Sequence, residues 1–369
     1  MNKKAIHFLG AALLLIGSSA EAAYELNLKA PVTEIAGQIY GLHMLIVYIC
    51  LGIFVVVFGI MFYSLYKHRK SVGHQAAQFH EHHTLEIVWT IIPALILIAI
   101  AFPATKTIFA MKDTSEADMT VKVTGYQWKW EYDYLDKNVK FISNLSTTQD
   151  QIDNKAEKSE HYLLEVDNPM VVPVGKKVRV VLTAADVIHA WWVPEFGVKQ
   201  DAIPGFIKEV WFKADKEGTY RGQCAELCGK AHGFMPIVVE VVSEEKYNGW
   251  LTAKVEEAAA GAAGADKEWT KDDLVANGKA VYEKNCAVCH QANGAGLPPA
   301  FPAMTGSKVA LGPIEGHLDI ILHGKNVMPA WKALLNDVEI ASVIAYERNA
   351  LGNSVGDIIQ PSAVKAARK

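Results

Sequence analysis

The sequence carries little charge of either sign in excess: 40 acidic residues stand against 36 basic ones, for a formal net charge of −4, and no long basic run occurs. A nucleic-acid footprint needs concentrated positive charge, so that class of partner is excluded. Cysteine is scarce as well, at five in 369 residues. Cys224 and Cys228 form one pair and Cys286 and Cys289 another, while Cys50 stands alone in an apolar run, where a free thiol packs as a small hydrophobe. His74, His80, His82 and His83 cluster, but His80-Glu81 lacks the second histidine of H-E-x-x-H. That leaves a solvated loop and excludes a zinc-protease signature. What abounds is apolar surface, 51% of a chain long enough for two or three domains, and membrane segments are expected.

Met1-Asn2-Lys3-Lys4 precedes an apolar run and then Ala20-Glu21-Ala22, so residues 1–22 read as a secretory signal peptide. Residues 39–66 and 85–109 are almost continuously apolar, each long enough for a membrane helix of about 20 residues. Between them Lys67-His68-Arg69-Lys70 supplies the basic cluster that belongs in the cytoplasm. Residues 35–112 are therefore expected to form a transmembrane hairpin with both ends outside, in a bacterial inner membrane, and the rest of the chain to lie in the periplasm.

From residue 118 to 243 the signals are short and β-rich. Val121-Lys122-Val123 continues through Tyr126, Trp128, Trp130, Tyr132 and Tyr134, predicting one strand with aromatics on one face and Gln127, Lys129, Glu131 and Asp133 on the other. Further strands are predicted at 162–165, 178–183, 210–214, 218–223 and 237–242, giving a β-sandwich or Greek-key barrel of cupredoxin type. The polar stretch 136–160 reads as a surface loop or short helix without chemistry.

Within this region Cys224-Ala225-Glu226-Leu227-Cys228-Gly229-Lys230-Ala231-His232-Gly233-Phe234-Met235 gathers two thiols, an imidazole and a thioether. Such a soft donor set favours copper over magnesium or calcium. The second cysteine suggests two coppers bridged by paired sulfurs, with a disulfide as the competing reading. His189, in Asp186-Val187-Ile188-His189-Ala190-Trp191-Trp192, is a candidate for one more ligand.

After a helix and an Ala/Gly-rich linker over 244–267, Cys286-Ala287-Val288-Cys289-His290 is the signature of covalent c-type haem attachment. His290 is placed to ligate iron, and Met328 is expected as the second axial ligand, with Met304 as its competitor. The helix 337–350 should cross the first helix near Gly278. Residues 353–369 are expected to be a disordered tail.

The motifs around His189 and Cys224 to Met235, with Gly125-Tyr126-Gln127-Trp128-Lys129-Trp130 and Gln200-Asp201-Ala202-Ile203-Pro204-Gly205, closely resemble subunit II of haem-copper cytochrome c oxidases. Residues 268–352 resemble a class I cytochrome c. The fold implied is a two-helix transmembrane hairpin, an all-β cupredoxin-like Greek-key barrel and an all-α cytochrome c domain. The resemblance implies that His189, Cys224, Glu226, Cys228, His232 and Met235 hold the binuclear copper centre CuA, Glu226 through its carbonyl. The Glu226 carboxylate would bind magnesium shared with subunit I. It implies too that Trp128 is the point of electron entry and that Glu86, in Leu85-Glu86-Ile87-Val88-Trp89-Thr90, lies at a proton-channel entrance. Electrons would come from cytochrome c or a bc1 complex, pass from haem c to CuA, and leave for haem a in subunit I. That subunit would reduce oxygen at haem and CuB and pump protons, with subunit III a further partner in the bilayer. A CuA-containing nitric oxide reductase subunit and a stand-alone membrane-tethered electron carrier are the alternatives.

Overall fold

The computed structural model describes residues 26–368, so the signal peptide expected over residues 1–22 lies outside the described residues. Helix α1 (Glu34–Lys67) starts at Thr33, whose hydroxyl accepts the Ala36 amide, and α2 (His83–Lys112) starts at His82, whose Nδ1 accepts that of Leu85. Both are long and apolar enough to cross a membrane, and most of their large apolar side chains are exposed. A bilayer turns that exposure from a cost into a gain. Both ends of the hairpin are fastened to the β-rich region. The Thr33 hydroxyl donates to the Phe196 carbonyl at 2.8 Å, and the Trp211 indole donates to the Ala110 carbonyl at 3.0 Å.

The stretch expected as one aromatic strand is two. The chain reverses at Gln127 and Trp128, and β1 (Met119–Tyr126) pairs antiparallel with β2 (Lys129–Tyr134), from Val121 opposite Tyr134 to Tyr126 opposite Lys129. A two-residue turn preserves the alternation of faces, so periodicity cannot reveal the reversal. The polar stretch beyond holds a third strand, β3 (Val139–Ser143), and then a short helix, α3 (Gln149–Ile152). Residues 162–165, expected as a strand, form none: 162 and 163 lie in a turn and 164 and 165 are irregular.

The remaining strands are β4 (Met170–Pro173), β5 (Lys177–Ala184), β6 (His189–Val193), β7 (Val198–Ala202), β8 (Lys208–Lys213), β9 (Gly218–Cys224) and β10 (Pro236–Val242). They build two five-stranded sheets, ordered β3-β2-β1-β5-β8 and β4-β10-β9-β6-β7. The β1–β5 and β4–β10 pairs are parallel and the others antiparallel, the mixed connectivity of a cupredoxin-like sandwich. Its core is aromatic: Trp130, Tyr132, Trp191, Phe196 and Phe212 are fully buried, with the rings of Phe196 and Phe212 stacked at 4.4 Å. Offset rings of this size bring large apolar area and an extra packing term of about 1 kcal/mol per pair.

The expected linker is helical as far as Gly264. In α4 (Glu244–Gly264), Ser243 caps the first turn and the alanine run continues the helix that alanine favours most. Its end packs on the last domain: a side chain at Gly264 would lie 3.1 Å from Val338. That domain is helical, with α5 (Lys271–Asn285), α6 (Ala287–His290), α7 (Ile314–His323), α8 (Asp337–Asn349) and α9 (Pro361–Ala367). The crossing expected near Gly278 is present, because a Cβ there would stand 1.9 Å from the Ser342 carbonyl oxygen. The tail expected to be disordered instead closes this core: Val364 is fully buried, and Gln360 exchanges two hydrogen bonds with the Trp269 backbone. Arg348 ties the intervening segment down through Asp357 and the Ala310 carbonyl. Burial of a few apolar side chains outweighs a polar composition that by itself reads as unfolded.

Candidate functional site

Three strands bring the soft ligands together. β9 ends on Cys224, β10 begins just after Met235, and the loop between them carries Glu226, Cys228 and His232. β6, paired to β9 through Trp191 and Cys224, starts with His189. Cys224 Sγ stands 3.8 Å from Cys228 Sγ, 3.9 Å from His189 Nδ1 and 3.4 Å from the Glu226 carbonyl oxygen. Cys228 Sγ lies 3.5 Å from both His232 Nδ1 and Met235 Sδ. Both thiols are free, and His189, Cys224 and Cys228 are buried. Two sulfurs at the centre with two imidazoles, a thioether and a carbonyl around them suit soft or borderline transition metals, copper foremost.

The surroundings orient these donors. Asp186 Oδ1 is 2.9 Å from His189 Nε2, which directs the Nδ1 lone pair toward the sulfurs. Gly125 leaves room for that ring, since a Cβ there would come within 2.8 Å of it. Burial opposes protonation of His189, but the Asp186 carboxylate and the Cys224 sulfur outweigh it and hold its pKa above the ordinary value. The Cys228 thiol, followed by His189, draws Cys224 well below the usual thiol range against the effect of burial, and Cys228 is pushed up in turn. The Cys228 carbonyl accepts from Gln127 Nε2 at 2.8 Å and from the Trp128 indole at 3.1 Å, while the Gln127 amide donates to Asp186 at 2.7 Å. Glu226 and Leu227 face outward and are exposed.

The C-x-x-C-H motif spans the junction of α5 and α6. Cys286, Cys289 and His290 line a cavity of about 290 Å³, whose wall includes Phe301, Met304, Met328 and Trp331. His290 Nδ1 donates to the Pro302 carbonyl at 2.8 Å, leaving Nε2 free for a metal. Burial raises both thiols above their ordinary range. Two thiols, one oriented imidazole and two thioethers around an apolar cavity fit a covalently attached haem. The Met328 segment is tightly held: φ at Gly324 is +74°, and Lys325 and Met328 exchange backbone hydrogen bonds of 3.1 and 3.0 Å.

The two sites share a wall. Gln127 lines the thiol-lined cavity and bonds the Cys228 carbonyl of the β9–β10 loop. Trp128, only 6% exposed, meets the Phe301 ring edge-on at 6.4 Å. Lys129, on the face opposite the aromatics, is buried under Trp331, and burial brings its pKa down to about 8. Gln127, Lys129, Asp186, Phe301 and the buried His317–Glu347 pair (2.7 Å) were not legible as site residues. Only the three-residue spacing of Asp186 from His189 hinted at a supporting role. Glu86 lies apart, in the first turn of α2, where its carboxylate accepts the His82 amide at 3.1 Å. The histidines of the 68–83 loop form no metal-sized cluster among the described residues.

Family models match three parts of the chain: cytochrome c oxidase subunit II, transmembrane domain, over residues 21–107; its periplasmic domain over 119–242; and cytochrome c oxidase, cbb3-type, subunit III, over 273–346. Cytochrome c oxidase subunit 2 of Cereibacter sphaeroides is 41% identical over 232 residues, covering 59% of this chain and 77% of that one. The probable cytochrome c oxidase subunit 2 of Rickettsia bellii is 38% identical over 245 residues, 66% of this chain and 89% of that one. The crystal structure of the periplasmic domain of subunit II of cytochrome oxidase of Bradyrhizobium japonicum shares 48% identity, with 39% of this chain and 98% of that chain covered and a TM-score of 0.35.

Proposed function

The chain belongs to the cytochrome c oxidase subunit II family, and from that premise we propose that it is the electron-receiving subunit of a proton-pumping terminal oxidase. In this reading it sits in a bacterial inner membrane, with its copper and cytochrome domains on the periplasmic side. The observation that carries it is the shared wall, where Gln127 and Trp128 join the thiol-lined cavity to the backbone of the metal loop. A covalent haem and a binuclear copper centre supply reversible one-electron chemistry when bound. The copper is assigned to His189, Cys224, Glu226 (carbonyl), Cys228, His232 and Met235. Cys286 and Cys289 are assigned to haem attachment, and His290 and Met328 to its iron.

The chain's own residues hold this arrangement still. Asp186 fixes the His189 tautomer, Gln127 and Trp128 pin the Cys228 carbonyl, and buried strands keep water from the sulfurs. Rigid ligands mean little rearrangement on reduction, which favours fast transfer at small driving force. Trp128, assigned to electron entry, is covered by Phe301, so an outside donor such as cytochrome c or a bc1 complex would deliver to the cytochrome domain. The exposed Glu226 carboxylate is assigned to magnesium at the contact with subunit I, which would bring haem a and CuB, with subunit III alongside. Purifying the assembled complex, identifying its haems and assaying gas uptake tests the reading. Oxygen consumption is expected; consumption of nitric oxide without oxygen uptake would sink it.

Two residue assignments have their own tests. Met328→Ala should remove the weak red charge-transfer band of a thioether on ferric haem and lower the reduction potential, whereas Met304→Ala should leave the band in place. The reverse pattern would assign the ligand to Met304. Glu86→Gln keeps an oxygen acceptor for the His82 amide, so the helix start survives. Oxygen turnover should nevertheless slow several-fold with internal electron transfer intact, and unchanged turnover would remove Glu86 from proton uptake.

A further inference from the structure

Lys129 belongs to the barrel by sequence and to the cytochrome cavity by position. It opens β2, yet it is 3% exposed and lines the same cavity as Cys286, Cys289 and His290. Its Nζ lies 3.9 Å from the centre of the Trp331 ring, and no ion pair of the described residues includes it. The next acid on that face, Glu131, is taken by Lys140 at 3.1 Å. An ammonium with no direct ion pair, on which Asp186 and Asp167 act only at a distance while bonded to His189 and Lys284, is almost never buried, because desolvation is costly and a cation–π contact offsets only part of the cost. Burial pushes the Lys129 pKa down to about 8, against the opposing pull of Cys286, Cys289, Asp186 and Asp167.

We propose that Lys129 is a positioning charge through which the barrel domain raises the reduction potential of the haem in the neighbouring cavity. The inference rests on the reading that haem fills that cavity. A fixed positive charge favours the form carrying one more electron, and in a water-poor setting the effect reaches well beyond contact distance. The charge thereby biases electron sharing between the haem and the copper loop, and it does so only when the two domains are docked as they are here. A lysine supplied across a domain boundary thus makes the haem's potential a readout of docking.

The test uses the full chain in its assembled complex, with Lys129→Met, Lys129→Gln and Lys129→Arg. Covalent haem content and copper content are measured first, then the haem midpoint by spectroelectrochemical titration. Both neutral variants should keep haem and copper at wild-type levels while the electron affinity of the haem falls about tenfold, about 59 mV for a one-electron couple. Lys129→Arg should restore most of the shift. An unchanged midpoint in a haem-loaded neutral variant overturns the proposal, and so does loss of haem from both neutral variants, which would assign Lys129 to packing. Wild-type chain without covalent haem would instead defeat the reading of the cavity, a distinguishable failure.

Discussion

Cys224→Ser should leave a folded chain with its covalent haem in place and its binuclear copper gone. Cys224 ends β9 and is held by β6, whose Ala190 carbonyl accepts the next amide, Ala225, at 3.0 Å. Serine is nearly isosteric there, so the sandwich loses about 1 kcal/mol or less. The metal loses far more. The Cys224 sulfur is the atom nearest at once to the second sulfur, the His189 imidazole and the Glu226 carbonyl. A serine hydroxyl is a hard, neutral donor at any working pH and cannot replace a shared thiolate. Copper per haem should fall at least to half, with the absorption of the paired centre abolished, while haem content stays at one per chain because Cys286 and Cys289 are untouched. Retention of two coppers per chain would defeat the assignment of Cys224 as a bridge.

Gly278→Ala should destabilise the cytochrome domain although alanine is the better helix former. Propensity alone favours the substitution by about 1 kcal/mol in a helix interior. The crossing of α5 over α8 opposes it, because the new Cβ would stand 1.9 Å from the Ser342 carbonyl oxygen and 2.7 Å from Tyr346 Cβ, and the nearest atom is backbone. Neither helix can give way without unpacking Leu274, Tyr282, Ile340 and Ile344, all fully buried. A net loss of about 2–4 kcal/mol results, read as a lower thermal midpoint of the haem absorbance and reduced haem loading. Gly249→Ala in α4 is the control. No atom comes within 4 Å of a Cβ there, so that change should stabilise the same chain by about 1 kcal/mol. Equal effects at both positions would show that close packing does not govern Gly278.

Much of this was legible in the chain because it is local. The membrane helices need only length and apolarity, and Thr33 and His82 begin them a few residues outside the predicted runs. The C-x-x-C-H motif and the soft-ligand loop are contiguous, so their chemistry stands in the sequence before any folding. The reversal at Gln127 was hidden by a turn that keeps parity, and the tail was misread because composition does not report burial. Val364 in the last core shows contacts from elsewhere ordering a polar segment.

The order of residues alone dictates which donors exist, which segments can enter a membrane, and which helix position needs a residue without a side chain. How the two redox-type sites meet is a matter of tertiary packing. Whether Lys129 faces water or a cavity depends on Trp331, and whether Trp128 is open or covered depends on Phe301, each in a different domain and far along the chain. Periodicity assigns a residue to a face of its own strand, but what covers that face is a long-range packing outcome, set by the total apolar area two domains bury together.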